Sequence, residues 1–426
     1  MNIFRGDIFS FKNTQHDYQY IIDGALVVVD GMIVEVGNYS DMRIKYPDVA
    51  VTDYTDKLIM PGFIDTHTHF VQTEIIGMYG KQLLEWLRDY TLPAEQAFES
   101  EEYAARIANA FLKELWRNGT TSCLAYSSVH KQSADALFNA ADKANMRVIT
   151  GNTLMERNAA EGLEHSAEDS ERDSRELIEK WHGKGRSLFA ITPRFAITCS
   201  ERQLSLAGKL HNEFPDTYVQ THLSENKAEI GYTLSLFDGC KDYLEVYERA
   251  GLITDRSVLA HCIHLSDDEI SRIANVGAII SHCPTSNLFL GSGLFNMKAA
   301  DENNIHTTIG TDVGAGTSFS MLKTMGEAYK VSQLRDYPLT AFDTFYKSTL
   351  GAAKALHLDD KVGSLQPKRE ADFIVVEYAA TEVERLRADY LKRTDRWCIE
   401  NILFGLQTLG DDRNIAATYI MGKLMN

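Results

Sequence analysis

Eight short apolar runs, separated by longer stretches of helical period, fill the middle of the 426-residue sequence. They are LIMPGFIDTH (58–67), TTSCLAYS (120–127), RVITGNTLM (147–155), FAITPRFAI (189–197), YVQTHLSE (218–225), SVLAHCIH (257–264), AIISHCPTSN (278–287) and HTTIGTDVG (306–314). Strands that alternate with helices make a parallel sheet, and eight such units predict a (β/α)8 barrel. The segment SEEYAARIANAFLKELWRNG (100–119) shows the helical half of the pattern. Ser100 suits an N-cap, and Glu101 and Glu102 favour the first turn. Ile107, Phe111 and Leu115 repeat on one face, and Gly119 can end the helix.

Both chain ends read differently. ALVVVDGMIVEVG places Asp30-Gly31 between two apolar runs, a strong two-residue hairpin signal. EADFIVVE (370–377) and ATYIMGKLM (417–425) are short strand-like runs near the C-terminus. The expected fold class is therefore α/β: a TIM-type (β/α)8 barrel over 61–362, with a small flanking β-sandwich domain built from 1–60 plus 363–426.

A net charge of −17 repels phosphate backbones, so nucleic acid is not an expected partner. No run is apolar for long enough to span a bilayer, and MNIFRGDIFS lacks the pattern of a secretory signal. The six cysteines are scattered without a CxxC pair, which suits reduced thiols and a cytoplasmic location.

In a parallel barrel the reactive groups belong at the C-terminal ends of the strands. The sequence repeats that placement. The first run ends in Asp65, His67 and His69, the fourth near Arg194, and the fifth in His222 and Glu225. His261, His282 and Asp312 follow at the ends of the last three. Period two puts His67 and His69 on one side of a strand, where both can reach one metal ion. An HxH pair by itself is common on structural strand faces; recurrence of donors on other strands is what favours a metal. His222 and Asp312 are the best-placed partners for a borderline cation such as zinc. Blander readings stand beside these: His282 as a core histidine, His130 and His264 facing water or capping a carbonyl, Glu225 as a solvated helix start, Arg194 paired to a carboxylate, and PTSN as a loop. Asp65 reads as a support for a ligand imidazole's second nitrogen.

PGFIDTHTHF followed by Gln72, then LLEWLRDYTLPAE, NGTTS, TPRFAITCS, HLSEN, AHCIHL, HCPTSNLFLGSG, IGTDVGAG and TLGDDRNI, resembles the metal-dependent aminohydrolase branch of the amidohydrolase superfamily. The likeness runs from about residue 55 to the C-terminus. It departs at MERNAAEGLEH, where Glu156 stands in place of Asp. The resemblance implies one Zn2+ per subunit, with Fe2+ in some relatives, on His67, His69, His222 and Asp312. It implies Glu225, His261 and Asp312 as catalytic residues. Gln72, Arg194 and Phe195 join His222, Glu225, His261 and Asp312 around the substrate. It also implies a homodimer and a small-molecule substrate, guanine, deaminated to xanthine in purine catabolism. Trp86 and Leu84 read either as a lid over the site or as a helix packed on the barrel.

Zinc lowers the pKa of bound water from 15.7 to about 7, which suits attack on an amidine carbon. Asp312 would take the water's proton, His261 would hydrogen-bond the nucleophile, and Glu225 would protonate a ring nitrogen. Deamination of a pterin or triazine at the same centre is the alternative. A dinuclear amidohydrolase would need a lysine at the end of the fourth strand, where ITPRFAITCS has none. A cytidine-deaminase fold needs HxE and PCxxC, which HCPTSN does not supply. A metal-free binding or assembly protein would lack at least one ligand, and all are present.

Overall fold

The computed structural model describes residues 1–80 and 82–425. The chain opens with β1 (Asn2–Phe11), β2 (Tyr18–Val29), β3 (Met32–Asn38) and β4 (Val51–Pro61). Asp30 and Gly31 join β2 to β3 with φ of 49° and 80°, the paired left-handed conformation of a type I′ turn. The middle of the chain follows with β5 (Phe63–His69), β6 (Thr120–Tyr126), β7 (Arg147–Gly151), β8 (Thr153–Leu154) and β9 (Ser187–Pro193). β10 (Tyr218–Leu223), β11 (Ser257–His261), β12 (Ile279–His282) and β13 (His306–Ile309) complete it. β14 (Phe373–Glu377), β15 (Ile415–Ile420) and β16 (Lys423–Leu424) then return to the first sheet.

Strands β5, β6, β7, β9, β10, β11, β12 and β13 pair in sequence order and in parallel, with β8 attached to β9. The ring closes beyond the end of β13. Asp312 N–H donates to the His67 carbonyl (2.8 Å) and His69 N–H to the Val313 carbonyl (2.7 Å). The closing bonds thus tie the first and last strand ends together at the metal-ligand candidates. An apolar layer closes the barrel interior near its foot. Ile64, Leu124, Ile149, Val258 and Ile279 pack on Ala352 and Ala353 of the helix Leu350–Ala355. The candidate site residues lie at the opposite end.

The terminal strands form one sheet in the order β16-β15-β14-β4-β1-β2-β3. It curls on itself, so that the Phe4 ring stands 4.9 Å from both Phe373 and Tyr419. A sandwich-like core thus forms inside one continuous sheet.

Two runs divide differently from their sequence pattern. LIMPGFIDTH spans two strands: Leu58–Pro61 ends β4 in the flanking sheet, and the barrel strand begins at Phe63. Gly62 sits at the join, where a Cβ would lie 2.2 Å from Thr121 Oγ1. PTSN is not a loop but opens the helix Pro284–Phe289, with proline in its first turn. The helix Glu101–Arg117 follows its pattern. Ser100 Oγ accepts from Tyr103 N–H at 3.3 Å, Ile107, Phe111 and Leu115 are buried, and Gly119 is left-handed at 79°.

Candidate active site

Each candidate side chain leaves the C-terminal end of a barrel strand or the loop just after it. His67 and His69 project from β5 with Nε2 atoms 3.3 Å apart. Asp312 Oδ1 lies 3.2 Å from His67 Nε2 and 3.1 Å from His69 Nε2. His222, on β10, stands with its ring 4.9 Å from His67 and 5.3 Å from His69. Its Nδ1 donates to the Arg194 carbonyl at 2.6 Å, which leaves Nε2 with a free lone pair. All four residues are buried or nearly so.

The mutual spacings of His67, His69 and Asp312 fit three ligands of one tetrahedral cation. Ligands about 2.0–2.1 Å from a common centre lie about 3.3 Å from one another. Burial pushes His67 and His222 below the ordinary imidazole range and His69 to about 3, so all three are neutral. Burial opposes ionisation of Asp312, but the facing His67 and His69 outweigh it and hold the carboxyl well below its usual range. His69 Nδ1 has no hydrogen-bond partner among the described residues.

His261 is a fifth donor. Its donor atom and those of His67, His222 and Asp312 all lie within 4.8 Å of one another. That cluster includes His261 and not His69, and His261 has two further contacts of its own. Its Nε2 lies closer to Glu225 Oε2 (3.5 Å) than to Asp312 Oδ2 (3.8 Å). Its Nδ1 is held by Asn287 Oδ1 at 2.8 Å, and its Nε2 has no hydrogen-bond partner among the described residues. Both His261 (φ 70°) and Asp312 (φ 51°) are left-handed non-glycine residues, a strain of order 1–3 kcal/mol each that clusters at functional sites.

Glu225 is buried, not solvated, and burial followed by the Asp312 charge pushes its carboxyl up to about 8. It is therefore protonated at neutral pH, as a proton donor requires. Ser292 Oγ donates to Glu225 Oε1 at 3.3 Å, and the Ser292 carbonyl accepts from His264 Nε2 at 2.8 Å. Asp65 does not support an imidazole nitrogen. Its Oδ1 accepts from the backbone N–H of His67 (3.2 Å) and Thr311 (3.0 Å), and Oδ2 accepts from Thr311 Oγ1. It fixes the two ligand-bearing chain segments rather than a ring. His282 is buried against Phe295, with ring centroids 4.8 Å apart, and stands outside the ligand group.

A second wall faces the donors across a cavity at the barrel mouth. Arg194, Phe195 and Gln72 line it with His69, His222, Glu225, His261 and Asp312. The Phe195 ring centroid is 6.4 Å from that of His222. Arg194 Nη1 donates to both oxygens of Glu95, at 2.8 and 2.7 Å, in a fully buried pair. Gln72 Nε2 donates to Glu95 Oε1 at 3.2 Å, and Gln72 Oε1 accepts from Gly314 N–H at 3.2 Å. The roof is Leu83, Trp86, Leu87 and Leu290. Leu84 does not belong to it and lines an outer groove instead. Trp86 is held by a hydrogen bond from Nε1 to the Met78 carbonyl at 3.1 Å.

Glu95, Asn287 and Ser292 are the site residues that sequence reasoning missed. All three lie inside motifs quoted for the resemblance: LPAE, PTSN and LGSG. Nothing in their spacing indicates which barrel group each one faces.

The chain matches the model of the amidohydrolase family over residues 58–425, and it belongs to that family. It is 48% identical to a curated guanine deaminase of Escherichia coli (strain K12) over 408 residues, covering 96% of this chain and 92% of that protein. The solved E. coli guanine deaminase superposes with a TM-score of 0.96 at 46% identity, covering 100% of this chain and 99% of the other. Guanine deaminase from C. acetobutylicum, solved with guanine bound in its active site, superposes with a TM-score of 0.89 at 32% identity over 100% of each chain. Among the described residues no helix is long and apolar enough to cross a membrane.

Proposed function

We propose that the chain hydrolyses guanine to xanthine and ammonia. The observation that carries this reading is a single cavity with a metal-ligand cluster on one wall and a guanidinium–carboxamide pair on the other. The sequence relationship to enzymes of that name supports it.

His67, His69, His222 and Asp312 would hold one divalent cation, with zinc suited to the three imidazoles and one carboxylate. Such an ion acts as a Lewis acid and lowers the pKa of coordinated water to about 7. Asp312 accepts a proton from the attacking water and delivers one to the departing amine. Glu225, protonated at neutral pH, donates to N3 and makes C2 electrophilic. His261, oriented by Asn287, accepts or donates a hydrogen bond at the attacking oxygen. The C2–N bond then breaks as ammonia leaves, the C2 hydroxyl becomes the carbonyl, and its proton passes back to Glu225, which restores the acid.

Arg194 donates to the 6-oxo group of the base, while Gln72 pairs with N1–H and the same oxygen. Adenine offers an amine donor at that position, which would leave a buried guanidinium facing another donor. Phe195 packs against the ring face and Trp86 closes the cavity above it. The family resemblance extends the reading to a homodimer in the cytoplasm acting in purine catabolism. Light scattering reads the subunit count directly.

The test is ammonia release from guanine, with adenine and isoxanthopterin as parallel substrates. Guanine should be deaminated far faster than adenine. Equal rates on isoxanthopterin would move the reading to pterins, and no release from guanine would end it.

A further inference from the structure

We infer that Glu95 is a positioning residue that determines specificity, by locking the Arg194–Gln72 pair in the register that reads an oxo group. The inference rests on the deamination proposed above. Glu95 sits in the helix Leu92–Gln96, outside the barrel strands, and is fully buried. Its only described side-chain partners are Arg194 and Gln72. Both carboxylate oxygens take the same guanidinium nitrogen, Nη1, so that nitrogen is turned away from substrate and the rest of the fork is left for the cavity. One oxygen also takes the Gln72 amide, whose carbonyl oxygen is fixed by Gly314 N–H. The amide orientation is thereby set, because a flipped Gln72 would aim its oxygen at a carboxylate and its N–H at another N–H. Two side chains from β9's end and from beyond β5 are thus aligned by one anion.

Charge supplies the second reason. Arg194 is buried in the same cavity as the site for a divalent cation, and no other carboxylate forms an ion pair with it among the described residues. Glu95 neutralises it, so the guanidinium can donate hydrogen bonds without adding net positive charge beside the metal ligands. Placement adds a third feature. Glu95 follows the roof residues Leu83, Trp86 and Leu87 along one segment, so the same stretch of chain covers the base and sets the donors that read it.

The experiment compares Glu95→Ala and Glu95→Gln with the unsubstituted enzyme on two bases. Guanine presents the 6-oxo group and N1 hydrogen. 2-Aminopurine carries the same 2-amine but neither of these. It is followed as a substrate, or as a competitive inhibitor where turnover is slow. In Glu95→Ala, kcat/KM for guanine should fall by at least ~100-fold, with the rise in KM exceeding the fall in kcat. The constant for 2-aminopurine should move by less than about threefold, since its ring never used the locked pair. Glu95→Gln keeps one acceptor for Arg194 and should recover part of the loss on guanine. A parallel loss on both bases would make Glu95 a general structural residue and overturn the inference, as would unchanged guanine kinetics. Failure of the unsubstituted enzyme on guanine would instead sink the proposed function.

Discussion

The two ends of the barrel bury charged and polar groups by opposite means. At the foot, Arg147 (first in β7) and Arg186 (just before β9) meet Glu370 and Asp372, which precede β14. Arg147 Nη2 stands 2.7 Å from Glu370 Oε2, Arg186 Nη2 stands 2.7 Å from the same oxygen, and Arg186 also pairs with Asp372. Two cations face two anions, and the network fastens the barrel to the flanking sheet. At the mouth, neutral imidazole nitrogens face one another and two carboxyl groups share the space. Among the described residues their partners are one another: Asp312 faces His67 and His69, and Glu225 faces His261. The contrast separates a stability device from a reactive one: the foot pairs opposite charges across two sheets, and the mouth gathers imidazoles around a carboxylate.

That contrast can be broken or sharpened by substitution. Glu225→Gln keeps the size of the side chain and removes the proton. It should bind guanine yet lose ~10²–10⁴-fold in turnover, with the melting temperature held or raised because a buried acid is gone. Near-normal steady-state turnover would remove Glu225 from the chemistry. Arg186→Met should do the reverse, stranding buried Asp372 and part of the Glu370 pairing. A loss of about 3–5 kcal/mol in denaturant unfolding is expected, with turnover of the folded protein unchanged. An activity loss without destabilisation would contradict the division between foot and mouth.

A smaller effect is expected at Asn287→Ala, which frees His261 Nδ1. Guanine turnover should drop about 10–100-fold without loss of metal, since His261 stands beside the ligand group. Metal loss measured in that variant would transfer His261 into the ligand set. The smallest effect is a pH dependence at the foot. Burial opposes ionisation of Glu370, but Arg186 and Arg147 outweigh it and lower its carboxyl. A lowered folded-state value contributes stability above the ordinary glutamate range near about 4.3, lost as pH falls through the folded value. The melting-temperature gap between the unsubstituted protein and Glu370→Gln should therefore be widest near neutrality and close on acidification. A gap that widens in acid would reverse the sign.

Much of this was legible in the sequence because periodicity and strand ends are local properties. The alternation of apolar runs defined the barrel, and Asp30-Gly31 defined its hairpin. His67 and His69 could be seen as a pair because two residues on one strand share a face. What could not be read was which distant groups meet. Asp65 looked like a partner for an imidazole, yet it holds backbone amides on β5 and after β13, a contact created only when the barrel closes. Arg194 read equally well as a substrate contact or a structural ion pair, and it lines the cavity while paired to Glu95. Leu84 reads from the sequence as part of a lid, yet Leu83 lines the cavity, because the turn that orients LLEW depends on tertiary packing. The split of LIMPGFIDTH between two sheets was hidden because Pro61 and Gly62 interrupt an apolar run without changing its hydropathy.

The central claim is that His67, His69, His222 and Asp312 converge on one divalent cation needed for guanine deamination. The most direct measurement is metal content per chain alongside guanine-dependent ammonia release, before and after chelation and after returning zinc. One equivalent of metal, loss of activity with its removal and recovery with its return are predicted. Full activity in a metal-stripped chain would contradict the account.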